Sequence, residues 1–377
     1  MRIDPDKCCG CAGCAAVCPF GSLRMRADAE GFAVPEVLSS CRDCGKCLSV
    51  CPVANASAPA EKRSDRCFAA VSASEEEVAN SSSGGVFPAL AGQIIDDGGA
   101  VAGTAFAADF SATAKIVYRR DELPLLRQAK YVQSAMSPAL YAEAETFLKT
   151  GKPLLFSGTP CQVAAFRRFF PEEKYPNLLA AEVICHGVPS PAVWQSFLRR
   201  VAKETGKILE VSFRDKRRGW HEYALTVRGE RQELRFGRRE SAYMKLFLHN
   251  VTLRKFCFEC PFKAGRSGAD LTMGDFWKLR KYAPELENDT GVSMVVTHGD
   301  RGAAVLEKCR LSLLREFPME AVRFCNRAYF DSAVPHPFRD KYFRLFRDGG
   351  GEWFDPETFF RKYPEKGPLV LLRKLFG

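Results

Sequence analysis

The chain has 377 residues, 46% of them hydrophobic and 27% charged, with 55 Lys and Arg against 45 Asp and Glu for a net charge of +10. That balance excludes intrinsic disorder, and the length predicts roughly two to three domains. No apolar run reaches the roughly 18 residues of a membrane span. Cysteine is met as early as Cys8, which leaves no room for the apolar core of a signal peptide, so the expected compartment is the cytoplasm. Sixteen cysteines in a reducing compartment point to metal ligation rather than to disulfides.

Cys8, Cys11, Cys14 and Cys18 form CxxCxxCxxxCP, and Cys41, Cys44, Cys47 and Cys51 repeat it 33 residues later. Two intervals of three bring three thiolates to one face of a cuboidal cluster, while the fourth cysteine, before proline, reaches the other cluster. Cys8, Cys11, Cys14 and Cys51 are therefore expected to hold one [4Fe–4S] centre, and Cys41, Cys44, Cys47 and Cys18 the second. Structural zinc, the competing reading, favours well-separated CxxC pairs. Cys9 falls outside the repeat and reads as a bystander. Leu23–Arg26 and Phe32–Val34 flank a glycine turn as a hairpin. Residues 1–55 thus read as a small bacterial-type dicluster ferredoxin domain, and residues 56–65, rich in Ala, Pro, Ser and charge, as a linker.

Beyond it, apolar strands alternate with helices. Phe68–Val71, Ala100–Phe106, Lys115–Tyr118, Pro153–Phe156 and Leu178–Ile184 read as strands. Gly84–Ile95, Pro138–Lys149, Gln162–Phe170 and Ser190–Lys203 read as helices, the last with Ser190 as N-cap and Pro191 in its first turn. The alternation predicts an α/β body with a largely parallel sheet, and an α+β chain overall. Residues 66–150 and 151–325 are its two parts, with a C-terminal extension over 326–377. The apolar and basic end of that extension, Leu369–Phe376, reads as a docking helix.

Cys161 and Cys185 each follow a strand, where open α/β sheets bind ligands, and Cys257 and Cys260 form a CxxC before proline. Four thiols can ligate a third [4Fe–4S] cluster, a zinc ion, or nothing at all, since buried reduced cysteine is common in cores. The run Asn80–Gly85 opens a helix and can present backbone N–H groups to an anion, although by itself it reads first as a helix cap with a flexible approach. Neither a dinucleotide-binding GxGxxG nor a phosphate-binding GxxxxGK[ST] occurs. Between Arg199 and Arg280 there are 20 Lys and Arg against 10 Asp and Glu. With no nucleic-acid motif, that basic face fits a flavin pyrophosphate, a small anionic carrier or an acidic redox partner better than nucleic acid.

Seven segments in order carry a resemblance: Ser82–Phe87, Lys130–Ser134, Gly158–Gln162, Ile184–Ser190, Phe213–Lys216, Cys257–Cys260 and Leu271–Trp277. Together they resemble the beta-subunit family of coenzyme F-420-reducing hydrogenase and formate dehydrogenase, over roughly residues 66–320. The resemblance implies an FAD-binding oxidoreductase with an iron–sulfur cluster beside the flavin. It implies Cys161, Cys185, Cys257 and Cys260 as ligands of a third cluster, and Ser82, Ser83, Gly84, Gly85, Lys130, Thr159 and Arg214 to Lys216 around the flavin. Asp275 is read as binding cofactor or capping a turn, and His186 and His221 as proton-handling candidates. Electrons would run between a redox partner or low-potential donor, the clusters, FAD and a hydride-type carrier or small organic substrate. A non-catalytic electron-transfer subunit, and structural zinc in the body, are the alternatives; an oligomer is compatible with all three.

Overall fold

The computed structural model describes residues 4–56, 64–238 and 240–364. Most of the expected linker and the end Leu369–Phe376 lie outside them. Strands β1 (Leu23–Ala27) and β2 (Ala33–Val37) form the expected antiparallel hairpin of the N-terminal domain. Short helices Gly13–Val17 and Lys46–Ser49 follow the first two cysteines of each repeat.

The body is built on eight strands: β3 (Asp65–Ser72), β4 (Ala100–Phe106), β5 (Ala112–Val117), β6 (Leu154–Gly158), β7 (Leu178–Val183), and, after three strands that leave the sheet, β11 (Leu271–Asp275), β12 (Ser293–His298) and β13 (Leu311–Phe317). The three that leave, β8 (Ile208–Asp215), β9 (Ala224–Gly229) and β10 (Glu233–Gly237), make a separate antiparallel sheet. The large sheet runs in the order β13-β3-β12-β11-β7-β6-β4-β5. Its centre, β4, β6, β7 and β11, is parallel, as the strand and helix alternation predicts, and antiparallel pairings extend it on both sides.

Both faces of the central strands are covered, which is why they read as unbroken apolar runs. Ala100, Ala102, Leu154, Phe156, Leu178 and Ala180 point to one face, under helices Pro138–Leu148 and Pro160–Phe169. The alternate residues Val101, Leu155 and Leu179 point to the other, under helix Val86–Asp96. Cys9, Cys11 and Ala12 belong to the first core, so the N-terminal domain packs against the same face as those two helices. Its hairpin turn docks onto helix Pro191–Thr205: Gly31 has φ +86°, and a Cβ there would stand 2.3 Å from Ala192 Cβ. No helix among the described residues is long and apolar enough to cross a membrane.

Candidate functional site

Strands β6 and β7 stop at Gly158 and Val183, and their carboxyl ends open on a cavity of about 1930 Å³. Cys161 lies in the first turn of helix Pro160–Phe169, while Cys185 follows β7 by two residues; both line that cavity. Cys257 and Cys260, within and just after the tight turn Lys255–Glu259, do not line it but come close enough to Cys161 and Cys185 for their charges to interact. The tetrad named from the sequence is therefore brought together.

Burial pushes Cys257 up to about 11 and Cys260 to about 12, and raises Cys185 further. Cys161 goes the other way, to about 7, through hydrogen bonds from Cys9 and Thr159 and the charge of Arg254. A buried thiolate set needs compensating positive charge. Lys263 supplies it: its ammonium is buried, donates to the carbonyls of Cys185 and Ala328, and lowers the pKa of three of the four thiols. Among the described residues no three Cys, His, Asp or Glu side chains stand close enough for one metal ion to take them together.

In the N-terminal domain Cys8, Cys11, Cys14 and Cys51 are all buried and wall a small cavity together. Cys51, from the second repeat, is thus grouped with the first three. The other set is shallower, with Cys41 and Cys44 exposed and Cys18 and Cys47 half-buried. The body holds the buried set through its main chain. Arg254 Nε donates to Cys8 O at 2.6 Å, Gln133 Nε2 to Cys9 O at 3.3 Å and the Tyr141 hydroxyl to Cys11 O at 2.9 Å. Arg254 also reaches Gln133 Oε1 and Ala33 O. None of these three anchors is predictable from sequence, because a single buried Arg, Gln or Tyr leaves no spacing signal.

The Ser/Gly loop reaches the cavity in part. Ser82, Ser83 and Gly85 line it, as do Lys130, Thr159, Arg214 and Asp275. Gly84 and Lys216 do not. Gly84 lies between β3 and β12, where a Cβ would meet Ala70 O at 2.5 Å, and Lys216 Nζ ties down the loop from behind by donating to the carbonyls of Val78, Ser83 and Thr290. Asp275 accepts both arms of the Arg214 fork, at 2.8 and 3.0 Å, and the Trp220 indole N–H at 3.1 Å. Arg214 also lies 4.1 Å over the Tyr223 ring and 5.2 Å over Trp277. Both histidines line the cavity: His186 Nε2 pairs with Asn250 Oδ1 at 2.6 Å, and the more exposed His221 Nε2 with Glu287 Oε1 at 2.5 Å. Three buried polar atoms of lining residues have no partner among the described residues: Ser81 Oγ, Arg127 Nε and Arg214 Nε.

Among solved structures the chain is similar to a chain of the F420-reducing [NiFe] hydrogenase complex from Methanosarcina barkeri, determined after xenon derivatisation. The identity is 17% and the TM-score 0.45, over 75% of this chain and 87% of that one. No curated protein matches. Two family profiles do match, one described as 4Fe-4S dicluster domain over residues 1–52, the other as the C terminus of the coenzyme F420 hydrogenase/dehydrogenase beta subunit, over residues 151–318. Residues 151–318 are thus similar to the C-terminal part of that beta subunit, behind an N-terminal segment, residues 1–52, that is similar to a 4Fe-4S dicluster domain.

Proposed function

We propose that this electron-transfer oxidoreductase is a flavoprotein: two [4Fe–4S] clusters in the N-terminal domain, a third at Cys161, Cys185, Cys257 and Cys260, and FAD in the cavity, with a hydride-type carrier or small organic molecule as substrate. When bound, the clusters carry single electrons and the flavin converts between one- and two-electron steps. The chain's own residues do the rest. Lys263 offsets thiolate charge behind Cys185. Lys130, Arg127 and Arg214 give the cavity wall positive charge for a pyrophosphate. His221, hydrogen-bonded to Glu287 and partly exposed, can hold or pass a proton at Nε2; His186, clamped by Asn250, is the better fixed of the two.

The observation that carries this reading is the position of Cys161 and Cys185, which border the large cavity while their tetrad adjoins the buried cysteines of the dicluster domain. The test is anaerobic purification with iron, acid-labile sulfide, zinc and flavin measured per chain. Iron and sulfide for three clusters with one flavin is the expected result. Zinc in place of a third cluster, or no flavin, would overturn it. Exposure of Cys41 and Cys44 favours a protein as electron donor, and turnover of small carriers by the isolated chain separates an enzyme from a subunit that only feeds a partner.

A further inference from the structure

Cys9 is buried, at 6% exposure, and among the described residues it alone lines both cavities, the small one walled by Cys8, Cys11, Cys14 and Cys51 and the large one reached by Cys161 and Cys185. Its thiol lies close enough to the sulfurs of Cys11 and Cys161, one from each four-cysteine set, for their charges to interact. Its place is not left to loop packing, because Gln133 holds its carbonyl while Arg254 and Tyr141 hold the carbonyls on either side, at Cys8 and Cys11. Gln133 and Arg254 are themselves buried and joined to each other at 3.2 Å.

We propose that the Cys9 side chain is the bridge by which electrons cross between the Cys8, Cys11, Cys14 and Cys51 centre and the Cys161, Cys185, Cys257 and Cys260 centre. This rests on the reading above, which puts a [4Fe–4S] cluster at each. One electron leaves a reduced cluster, which is oxidised, and enters the other, which is reduced. No bond forms or breaks, no proton moves, and the thiol ends in the state in which it began. A polarisable sulfur placed between the two sets, in the wall both cavities share, replaces empty space with bonds and shorter gaps, and tunnelling decays less steeply through these than through a void. Cys9 is thus a positioning residue for electron flow, outside both ligand sets.

The experiment uses the full chain, purified anaerobically, as wild type, Cys9→Ala and Cys9→Ser. Iron and sulfide are counted per chain, and after a flash of photoreduction the transfer of the paramagnetic signal from the N-terminal clusters to the tetrad's cluster is followed by freeze-quenching. All three proteins should hold the same iron, with transfer in Cys9→Ala slower by about tenfold or more and Cys9→Ser between them. A packing role would lower the melting temperature and leave the rate alone. Equal rates at full iron content overturn the bridge while leaving the functional reading intact. Loss of one cluster's iron in either variant overturns it by making Cys9 a ligand. A wild type with iron for only two clusters overturns it together with that reading.

Discussion

Lys130 carries its ammonium in the cavity wall, donating to the carbonyls of Arg127 and Gln128 and lying 5.6 Å from the Phe106 ring centre. Desolvation without a carboxylate partner pulls its pKa down to about 7. The folded chain then binds fewer protons than the unfolded one between that value and the usual 10.5, so the unliganded protein should gain stability as pH rises through this window. An anion in the cavity favours the charged form, so affinity for FAD should fall as pH rises through about 7, with proton uptake on binding. Calorimetric titration at about pH 6 and about pH 8 tests this, and Lys130→Met should flatten the dependence. Arg214 is a different kind of residue. Its fork on Asp275 is buried, so Arg214→Met strands a carboxylate and should cost about 3–5 kcal/mol, read from the denaturant midpoint. Lysine cannot restore both contacts. The proposed function puts Gly85 beside a pyrophosphate, but its φ of +76° and a Cβ contact of 3.1 Å to Val78 N supply a backbone reason for glycine. Gly85→Val should therefore lower the melting temperature as well as any flavin content.

At the level of elements, the cysteine repeat was the most legible part of the chain, because cluster geometry imposes fixed intervals that nothing else imitates. The grouping of Cys51 with Cys8, Cys11 and Cys14 was readable for the same reason. Cys51→Ala should therefore damage the buried centre and spare the shallow one, as site-resolved paramagnetic spectra of the two reduced centres would show. Three of the four central parallel strands, β4, β6 and β7, were legible too as short apolar runs, whereas β11, with Thr272, Gly274 and Asp275 among its five residues, was not. Strands β8, β9 and β10 were not, since a partly exposed antiparallel sheet mixes charge into every strand: β8 carries Glu210 and Arg214, β9 Arg228, β10 Glu233 and Arg235. Strands β12 and β13 escaped as well. Their place beside β3 depends on pairing across more than two hundred residues of sequence, which local pattern does not contain. One product of that pairing is a row of side chains, the half-buried Asp65 and the buried His298, Thr272 and Glu182, hydrogen-bonded in turn at 2.9, 2.7 and 2.7 Å across four adjacent strands.

At the scale of the whole molecule, the dicluster domain and the body meet along a seam of buried polar contacts. Arg254 is its centre, with acceptors on Cys8, Ala33 and Gln133 and the Phe32 ring 5.3 Å away. At the hairpin turn Arg339 pairs with Glu30, and Ser190 donates to the Glu30 carbonyl. Arg254→Met removes a donor from three acceptors, of which Gln133 Oε1 keeps the Ala33 N–H, and each buried one left unmatched costs about 1–3 kcal/mol. Hydrogen exchange around Cys8 to Val34 should then quicken while the central sheet stays protected. The seam could not be read from the sequence, because its donors are isolated side chains from distant parts of the chain.

Much of that grip falls on peptide carbonyls: those of Cys8, Cys9, Cys11, Glu30 and Ala33. Every L-residue offers the same oxygen. The body therefore asks the attached domain for a backbone path more than for a set of side chains, which makes the join tolerant of substitution and the domain exchangeable. A chimera carrying another dicluster domain of the same cysteine spacing should seat on this body, provided glycine is kept at the positions of Gly10 and Gly31 and a carboxylate at that of Glu30. Such a fusion can drift or be replaced without redesigning the partner it serves.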